Sequence, residues 1–243
     1  MLLGESALAA LLAEELLEPE VDLRGIAERW IAWARRDGRG LGQDTLDALE
    51  HLGRYDAPRG GAAVAGDAGP LVRAIPIGIA AATQPRNLVS GTWHTILLTH
   101  DEPGTAWSGV AVNVALAQLL QGRRDLLPDV IEALLANDAA PAVLSAARRI
   151  PFVQRDELDG GGHRAIACAE LALWTAHHEP MVTRAFERFA GDGADAAAVA
   201  AALLGAREGE GGLPPGAAPE ADRLRGLAKR LVAPRPQAMG HGP

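Results

Sequence analysis

The sequence predicts an all-α protein with one domain, and two observations carry this prediction. Apolar residues make up 48% of the 243 residues and aromatic residues only 4%, so Ala, Leu and Val have to build the core. Small side chains of this kind suit closely packed helices better than sheets, in which β-branched and aromatic residues are enriched. In addition, nine or ten segments have helical apolar spacing, and none has a convincing period of two.

Three helices are expected in the N-terminal quarter. Residues 6–18 carry leucines at helical spacing. Asp22 is the expected N-cap of a second helix, which places Trp30 and Trp33 on one face. A third, short helix is expected to begin near Asp44.

The remaining helices are separated by glycine-rich segments. A loop is expected over residues 56–69, followed by an apolar helix with Pro70 in its first turn. Residues 155–164 predict a flexible, glycine-rich connection. The last long helix is expected to stop at Gly209, and a terminal helix is expected over about residues 220–232.

Composition narrows the classes of partner. The net charge is −8 and Lys229 is the single lysine, which argues against a nucleic-acid partner. No segment reaches the roughly 18 apolar residues that span a membrane, and the N-terminus has no basic stretch typical of a signal peptide. We therefore expect a cytoplasmic protein with no membrane partner, a domain over residues 1–232 and a disordered tail over residues 233–243. The single cysteine, Cys168, is expected in the core.

Five phrases, in this order, resemble the ADP-ribosylglycohydrolase family, in particular its dinitrogenase-reductase-activating type. The resemblance covers about residues 5–232. The phrases are "DLRGIAERWIAWARRDGRGLGQDTLDALEHL", "AGDAGPLVRAIPIGIA", "LTHDEPGTAWSGVAVNVALAQLLQG", "AIACAELALWTA" and "AGDGADAAAVAAALLGAREG".

This resemblance implies a helical domain with a central cleft that holds two Mg²⁺ ions beside ADP-ribose. The implied reaction is hydrolysis of the glycosidic bond between ADP-ribose and a protein side chain. Mg²⁺ prefers oxygen ligands in octahedral geometry, and paired metals can orient hydroxyls and activate a water. The family supplies the oxygens from an N-terminal Thr-Asp-Asp and a C-terminal Asp-x-Asp-Thr.

The sequence departs from both metal motifs of the family. At the C-terminal motif, Asp192 falls on the first aspartate, Ala194 on the second, and Asp195 on the threonine. At the N-terminal motif, residues 3–6 replace Thr-Asp-Asp-Thr, and Glu5 keeps the only carboxylate. The resemblance therefore implies Asp192, Asp195 and Glu5 as metal ligands, with Asp192 and Glu5 as catalytic groups. We expect magnesium to bind weakly or at a single site.

The resemblance also places substrate-binding residues in two of the phrases. The family's Asn-Gly before its Met-Arg pair becomes Ala68-Gly69 here, with Asp67 just before it. The family's arginine and histidine remain as Arg73 and His100. Asp67, Gly69, Arg73 and His100 are therefore the candidate substrate-binding residues.

Each candidate also has an ordinary structural interpretation. Asp192 and Asp195 would serve equally well as caps of the helix that follows. Glu5 could have a capping or solvent role at a frayed N-terminus. Arg73 could be a partly buried structural arginine, and His100 a turn residue that bonds backbone carbonyls.

Two function classes remain open. One is a hydrolase of ADP-ribosylated protein, or of a related ligand, with an eroded magnesium site. The other is a catalytically inactive relative that binds ADP-ribose or a protein partner. An exposed leucine stripe over residues 8–16 would in addition favour a homodimer.

Overall fold

The computed structural model is all-α, as expected. The structure describes residues 2, 4–55, 67–180, 193–209 and 220–233, and these contain eleven α-helices and no strand. The helices are α1 (Gly4–Glu15), α2 (Leu23–Arg36), α3 (Gln43–Tyr55), α4 (Gly69–Ala80), α5 (Pro85–Leu97), α6 (Pro103–Leu120), α7 (Leu127–Ala136), α8 (Pro141–Arg149), α9 (Arg164–His178), α10 (Ala194–Glu208) and α11 (Ala221–Val232). None of these helices is long and apolar enough to cross a membrane.

Three of the sequence-based expectations concern residues that the structure does not describe. Asp192, most of the glycine-rich loop over residues 56–69, and nearly all of the tail over residues 233–243 lie outside the described residues.

Helix α6 is the central element of the fold. It packs against α4, α5, α7, α8, α9 and α10, and most of its residues are buried on every side. A helix that is apolar all round belongs in a core. A Cβ added to Gly109 would overlap Ile96 Cδ1 on α5. The small residues of α6 therefore allow its neighbours to approach closely.

The leucine stripe of α1 is not exposed, which corrects the expectation for residues 8–16. Leu8 and Leu12 are fully buried. Helix α1 packs against α4 within the chain, and Leu227 and Leu231 of α11 form a small cluster with Ala13 near the end of α1. The reason for expecting a homodimer is therefore removed, because the apolar face already has a partner in the same chain.

The helix starts and stops follow the sequence signals closely. The Asp22 carboxylate accepts a hydrogen bond from Gly25 N at 2.6 Å, as expected of the N-cap of α2. Trp30 and Trp33 are both buried. Helix α10 ends before Gly209, which has a φ of 70°.

The glycine-rich connection expected over residues 155–164 contains regular structure that the sequence did not predict. It contains two short 3₁₀ helices, and a third precedes them directly after α8. Arg149 at the end of α8 bonds both Asp159 in this connection and the buried Glu170 on α9. Gly160 N adds a hydrogen bond to Glu170 at 3.2 Å. This ion-pair cluster fixes the connection and the start of α9.

Candidate functional site

Arg73 forms the centre of a buried polar network, and its side chain is 0% exposed. Its Nη1 donates to Glu5 Oε2 at 2.5 Å, and its Nη2 donates to Thr99 Oγ1. Its Cζ lies 5.3 Å from the centre of the Trp30 ring, within the range of a cation–π contact. We call Glu5, Thr45, Asp67, Arg73, Thr99 and His100 the Arg73 network.

Glu5 is buried and ordered, so it does not have a solvent role at a frayed end. Its residue exposure is 7%, and the start of α1 is fixed by a hydrogen bond from Gly4 N to Arg39 O at 2.8 Å. Glu5 Oε1 accepts from Thr45 Oγ1 at 3.2 Å, while Oε2 accepts from Arg73. Both carboxylate oxygens of Glu5 therefore have partners inside the protein.

Gly69 gives the Glu5 side chain room. A Cβ added to Gly69 would lie 2.8 Å from Glu5 Cδ, far inside van der Waals contact. Gly69 is itself buried at the start of α4. Its position favours steric accommodation of Glu5 over direct contact with a substrate.

His100 connects Arg73 to Asp67 and is fully buried. Arginine can only donate, so the 3.2 Å contact from Arg73 Nη2 makes His100 Nδ1 an acceptor. The proton of the neutral ring then lies on Nε2, which is 3.5 Å from Asp67 Oδ2. The ring thus bonds side chains, not the backbone carbonyls of a turn. Because Arg73 and His100 are both fully buried, roles in positioning Glu5 and Asp67 are favoured over direct contact with a substrate.

The close approach of the His100 ring lowers the pKa of Asp67 to about 2 from its ordinary value of 3.8, although burial opposes this shift. Hydrogen bonds from the backbone N–H groups at the start of α4 act in the same direction. The 3.5 Å separation between Nε2 and Asp67 Oδ2 is longer than a normal hydrogen bond, so the neutral ring acts on the carboxylate through the dipole of its Nε2–H group. Asp67 is therefore ionised throughout the physiological range.

Asp67→Asn should therefore change how the free energy of unfolding depends on pH below about pH 4. A folded pKa below the unfolded value stabilises the fold above about pH 4, and this contribution is lost as the pH falls toward 2. Since Asn mimics the protonated carboxyl, the variant should be less stable by roughly 2 kcal/mol at neutral pH. Denaturant unfolding between pH 7 and pH 2 should show the difference shrinking toward pH 2. A constant difference at all pH values would contradict the assignment, and Asp222→Asn is an exposed control.

A cavity of about 320 Å³ lies beside this network, where the starts of α4, α9 and α10 meet. Arg155 and Arg164 contribute positive charge to its wall, and Cys168 lies in its apolar part. Arg164 is largely exposed, and its Nη2 lies 4.0 Å from Asp67 Oδ1. The backbone N–H groups at the start of α10 add partial positive charge at the same place. We call this space the α9–α10 cavity.

Asp195 lies in the first turn of α10 and lines the α9–α10 cavity. Burial raises the pKa of its carboxyl, and the negative charges of Glu5 and Asp67 raise it further. The structure therefore brings three of the predicted site carboxylates into one electrostatic neighbourhood. Burial and the same acidic surroundings raise the pKa of Cys168 to about 12, so this thiol is an inert core residue, as expected.

A contact between the caps of two helices was not predicted from the sequence. Glu102, the N-cap of α6, accepts from Gly104 N at 2.7 Å and Thr105 N at 2.6 Å. Its Oε2 is also 2.9 Å from Nε2 of His163, which is the N-cap of α9. The contact links the start of α6 to the helix that carries the cavity wall. Glu102 stands directly before Pro103, and proline is common at the first position of a helix, so the sequence could have indicated Glu102 as the N-cap of α6.

Thr45 was also missed, although the sequence contained a signal for it. It precedes the buried residues Ala48, Leu49 and Leu52 at helical spacing, so it lies on the apolar face of α3. A threonine on a buried face needs a hydrogen-bond partner, and here the partner is Glu5.

The described residues do not form a two-metal centre. No three His, Cys, Asp or Glu side chains in the described ranges lie close enough together to hold a metal ion. Both oxygens of Glu5 already have protein partners, and burial disfavours the ionised form of Asp195. Since Mg²⁺ requires several ionised oxygen ligands, this donor set does not fit a pair of ions.

The chain is similar to a family of known proteins over nearly its whole length. The ADP-ribosylglycohydrolase family model matches residues 5–239. The chain belongs to the ADP-ribosylglycohydrolase family. Members of this family are generally metal-dependent hydrolases that bind ADP-ribosylated substrates.

Comparison with solved structures agrees on the fold. A structure described as an "ADP-ribosylglycohydrolase-related protein complex" is similar to this chain with a TM-score of 0.77 at 24% identity. The match covers 94% of this chain and 80% of that chain. No curated protein sequence matches the chain. The all-α ADP-ribosylglycohydrolase fold is thus confirmed.

Proposed function

We propose that this protein binds ADP-ribose, or the ADP-ribosyl group of a modified protein, without the two-metal hydrolysis of its family. The observation that carries this proposal is the state of Glu5. The only carboxylate left in the N-terminal metal motif is buried and paired with Arg73. A ligand position that is already neutralised by a buried guanidinium has little affinity left for a divalent cation.

The α9–α10 cavity supports the binding part of the proposal. ADP-ribose carries a pyrophosphate, and Arg164, Arg155 and the start of α10 provide positive charge around the cavity. The volume of about 320 Å³ is within the range of small-molecule sites. In this assignment Asp195 faces the ligand, while the Arg73 network holds Asp67 beside Arg164.

Calorimetry with ADP-ribose tests this proposal. We expect saturable binding in buffer that contains a chelator, and the same affinity after addition of Mg²⁺. Arg164→Ala should weaken binding about tenfold, because a charge-assisted contact to a phosphate is worth roughly 1.5 kcal/mol or more. Arg148→Ala, an exposed arginine on α8, should leave the affinity unchanged. No binding with or without Mg²⁺ would refute the proposal.

The hydrolase alternative is decided by the release of ADP-ribose from an ADP-ribosylated protein. We expect no release above the uncatalysed rate, with or without Mg²⁺. Release that requires Mg²⁺ would instead establish an active enzyme with an unusual site. In that case Asp192→Ala should abolish turnover, because Asp192 aligns with the first aspartate of the C-terminal metal motif.

A further inference from the structure

A second and larger concave surface lies away from the Arg73 network. It has a volume of about 860 Å³, with α6 as its floor and α5 and α7 as its walls. This volume is at the upper end of the range for small-molecule sites. Its lining includes Arg86, Val89, Trp93, Trp107, Val114, Gln118 and Glu132. We call it the tryptophan groove.

One end of the groove is an aromatic surface. The rings of Trp93 and Trp107 lie 4.5 Å apart between centroids and are tilted by 45°. Both residues are only partly buried, and neither indole N–H donates to another described residue. Of the three other tryptophans, Trp30 and Trp174 donate to backbone carbonyls, and Trp33 is buried in the core. The Trp93–Trp107 pair therefore offers stacking area and free donors to a ligand.

The other end of the groove suits an anion. Arg86 is exposed in the first turn of α5 and has no ion-pair partner among the described residues. Gln84, the N-cap of α5, makes no capping hydrogen bond to the helix through its side chain, and Pro85 at the first position has no N–H. The N–H groups of Arg86 and Asn87 are therefore the ones that can donate to an anion at the start of α5. Arg86 and Trp93 are seven residues apart on one helix face, which corresponds to about 10 Å. The nearby Arg123 is already neutralised by Asp129 at 3.3 Å.

The groove also presents two hydrogen-bond acceptors, one on α7 and one on α6. Glu132 on α7 is exposed and has no cationic partner in the described part of the chain. Gln118 lines the floor, and its Oε1 is buried without a donor. A buried acceptor without a donor is costly, so a ligand N–H at this position would be favoured.

We propose that the tryptophan groove is a second small-molecule site for a planar aromatic ring that carries N–H donors and is joined to an anionic group. An adenine mononucleotide has this chemistry. Its base stacks on the tryptophan pair, its amino group meets the acceptors of the groove, and its phosphate binds Arg86 and the start of α5. The site is separate from the α9–α10 cavity and does not depend on the function proposed for that cavity.

Titration of the full-length protein with AMP, followed by calorimetry and tryptophan fluorescence, tests the proposal. We expect saturable binding that quenches fluorescence. Arg86→Gln should weaken it about tenfold, the usual scale for losing one charge-assisted phosphate contact. Adenosine, which lacks the phosphate, should bind wild type and Arg86→Gln equally. Arg86 is exposed, so this variant should fold normally.

Two further variants locate the site. Arg148→Gln, an exposed arginine on α8, should leave AMP binding unchanged. Arg164→Gln in the α9–α10 cavity should leave unchanged the AMP binding that quenches the fluorescence of the tryptophan pair. The proposal is overturned if AMP shows no saturable binding up to millimolar concentration. It is also overturned if Arg164→Gln removes AMP binding while Arg86→Gln has no effect, because AMP would then occupy the α9–α10 cavity.

Discussion

Arg73→Met should lower the free energy of unfolding by about 3–5 kcal/mol, the usual cost of removing one partner from a buried ion pair. Met keeps most of the side-chain volume, so the change reports mainly on the charge. The substitution leaves the Glu5 carboxylate buried with Thr45 as its remaining partner. It also removes the hydrogen bond from Arg73 to His100 Nδ1. The His100 ring, which faces Asp67, is then no longer held in place by Arg73. Denaturant unfolding of the two proteins measures the difference.

Two comparisons make this prediction specific. Arg124→Ala removes an exposed ion pair with Glu208 and should change stability by less than about 1 kcal/mol. The double variant Glu5→Gln/Arg73→Met should be more stable than Arg73→Met alone, because it no longer buries an unpaired charge. If the double variant is less stable than Arg73→Met, the ion pair is not the source of the effect.

Arg149→Met should have the second-largest effect, at about 3 kcal/mol or more. The side chain of Glu170 has no exposed surface, and Arg149 is its only cationic partner among the described residues. The hydrogen-bonded Glu170 and Asp159 raise the pKa of Arg149 above its already high ordinary value, so the guanidinium is always charged. Without it, the Glu170 carboxylate keeps Gly160 N as its remaining donor. Thermal and denaturant unfolding both measure the loss.

Asp159→Ala is the matched control for Arg149→Met. Asp159 belongs to the same cluster, but its side chain is 73% exposed, so its removal should cost less than about 1 kcal/mol. Equal losses in the two variants would mean that the cluster acts through the conformation of the connection, and not through the buried charge of Glu170.

Much of the fold could be predicted because local signals and packing agree. The Asp22 cap, the buried face with Trp30, and the stop at Gly209 each follow from one residue type in one local environment. The errors concern long-range contacts. The leucines of α1 look exposed in the sequence because the residues that bury them come from other segments. Leu8 and Leu12 belong to the main core with residues of α2, α4 and α6, and Leu16 packs against the cluster that contains Leu227 and Leu231 of α11.

The site could be predicted as a set of residues but not as an arrangement. Glu5, Asp67, Arg73, His100 and Asp195 were identified from the family phrases, and the structure brings them into one region. Sequence spacing does not show which oxygens of Glu5 are already bonded, or that Arg73 is completely buried. Thr45 and Thr99, which complete the network, come from separate segments, and only the fold places them beside Arg73.

Titration of the metal-free, full-length protein with Mg²⁺ in a calorimeter tests the central claim most directly. If Glu5 is held by Arg73 and the N-terminal metal position is lost, binding should be weak and should not exceed one site. Glu5→Gln should then leave the Mg²⁺ isotherm unchanged. Tight binding of two Mg²⁺ ions, reduced by Glu5→Gln, would contradict the account and restore the two-metal hydrolase.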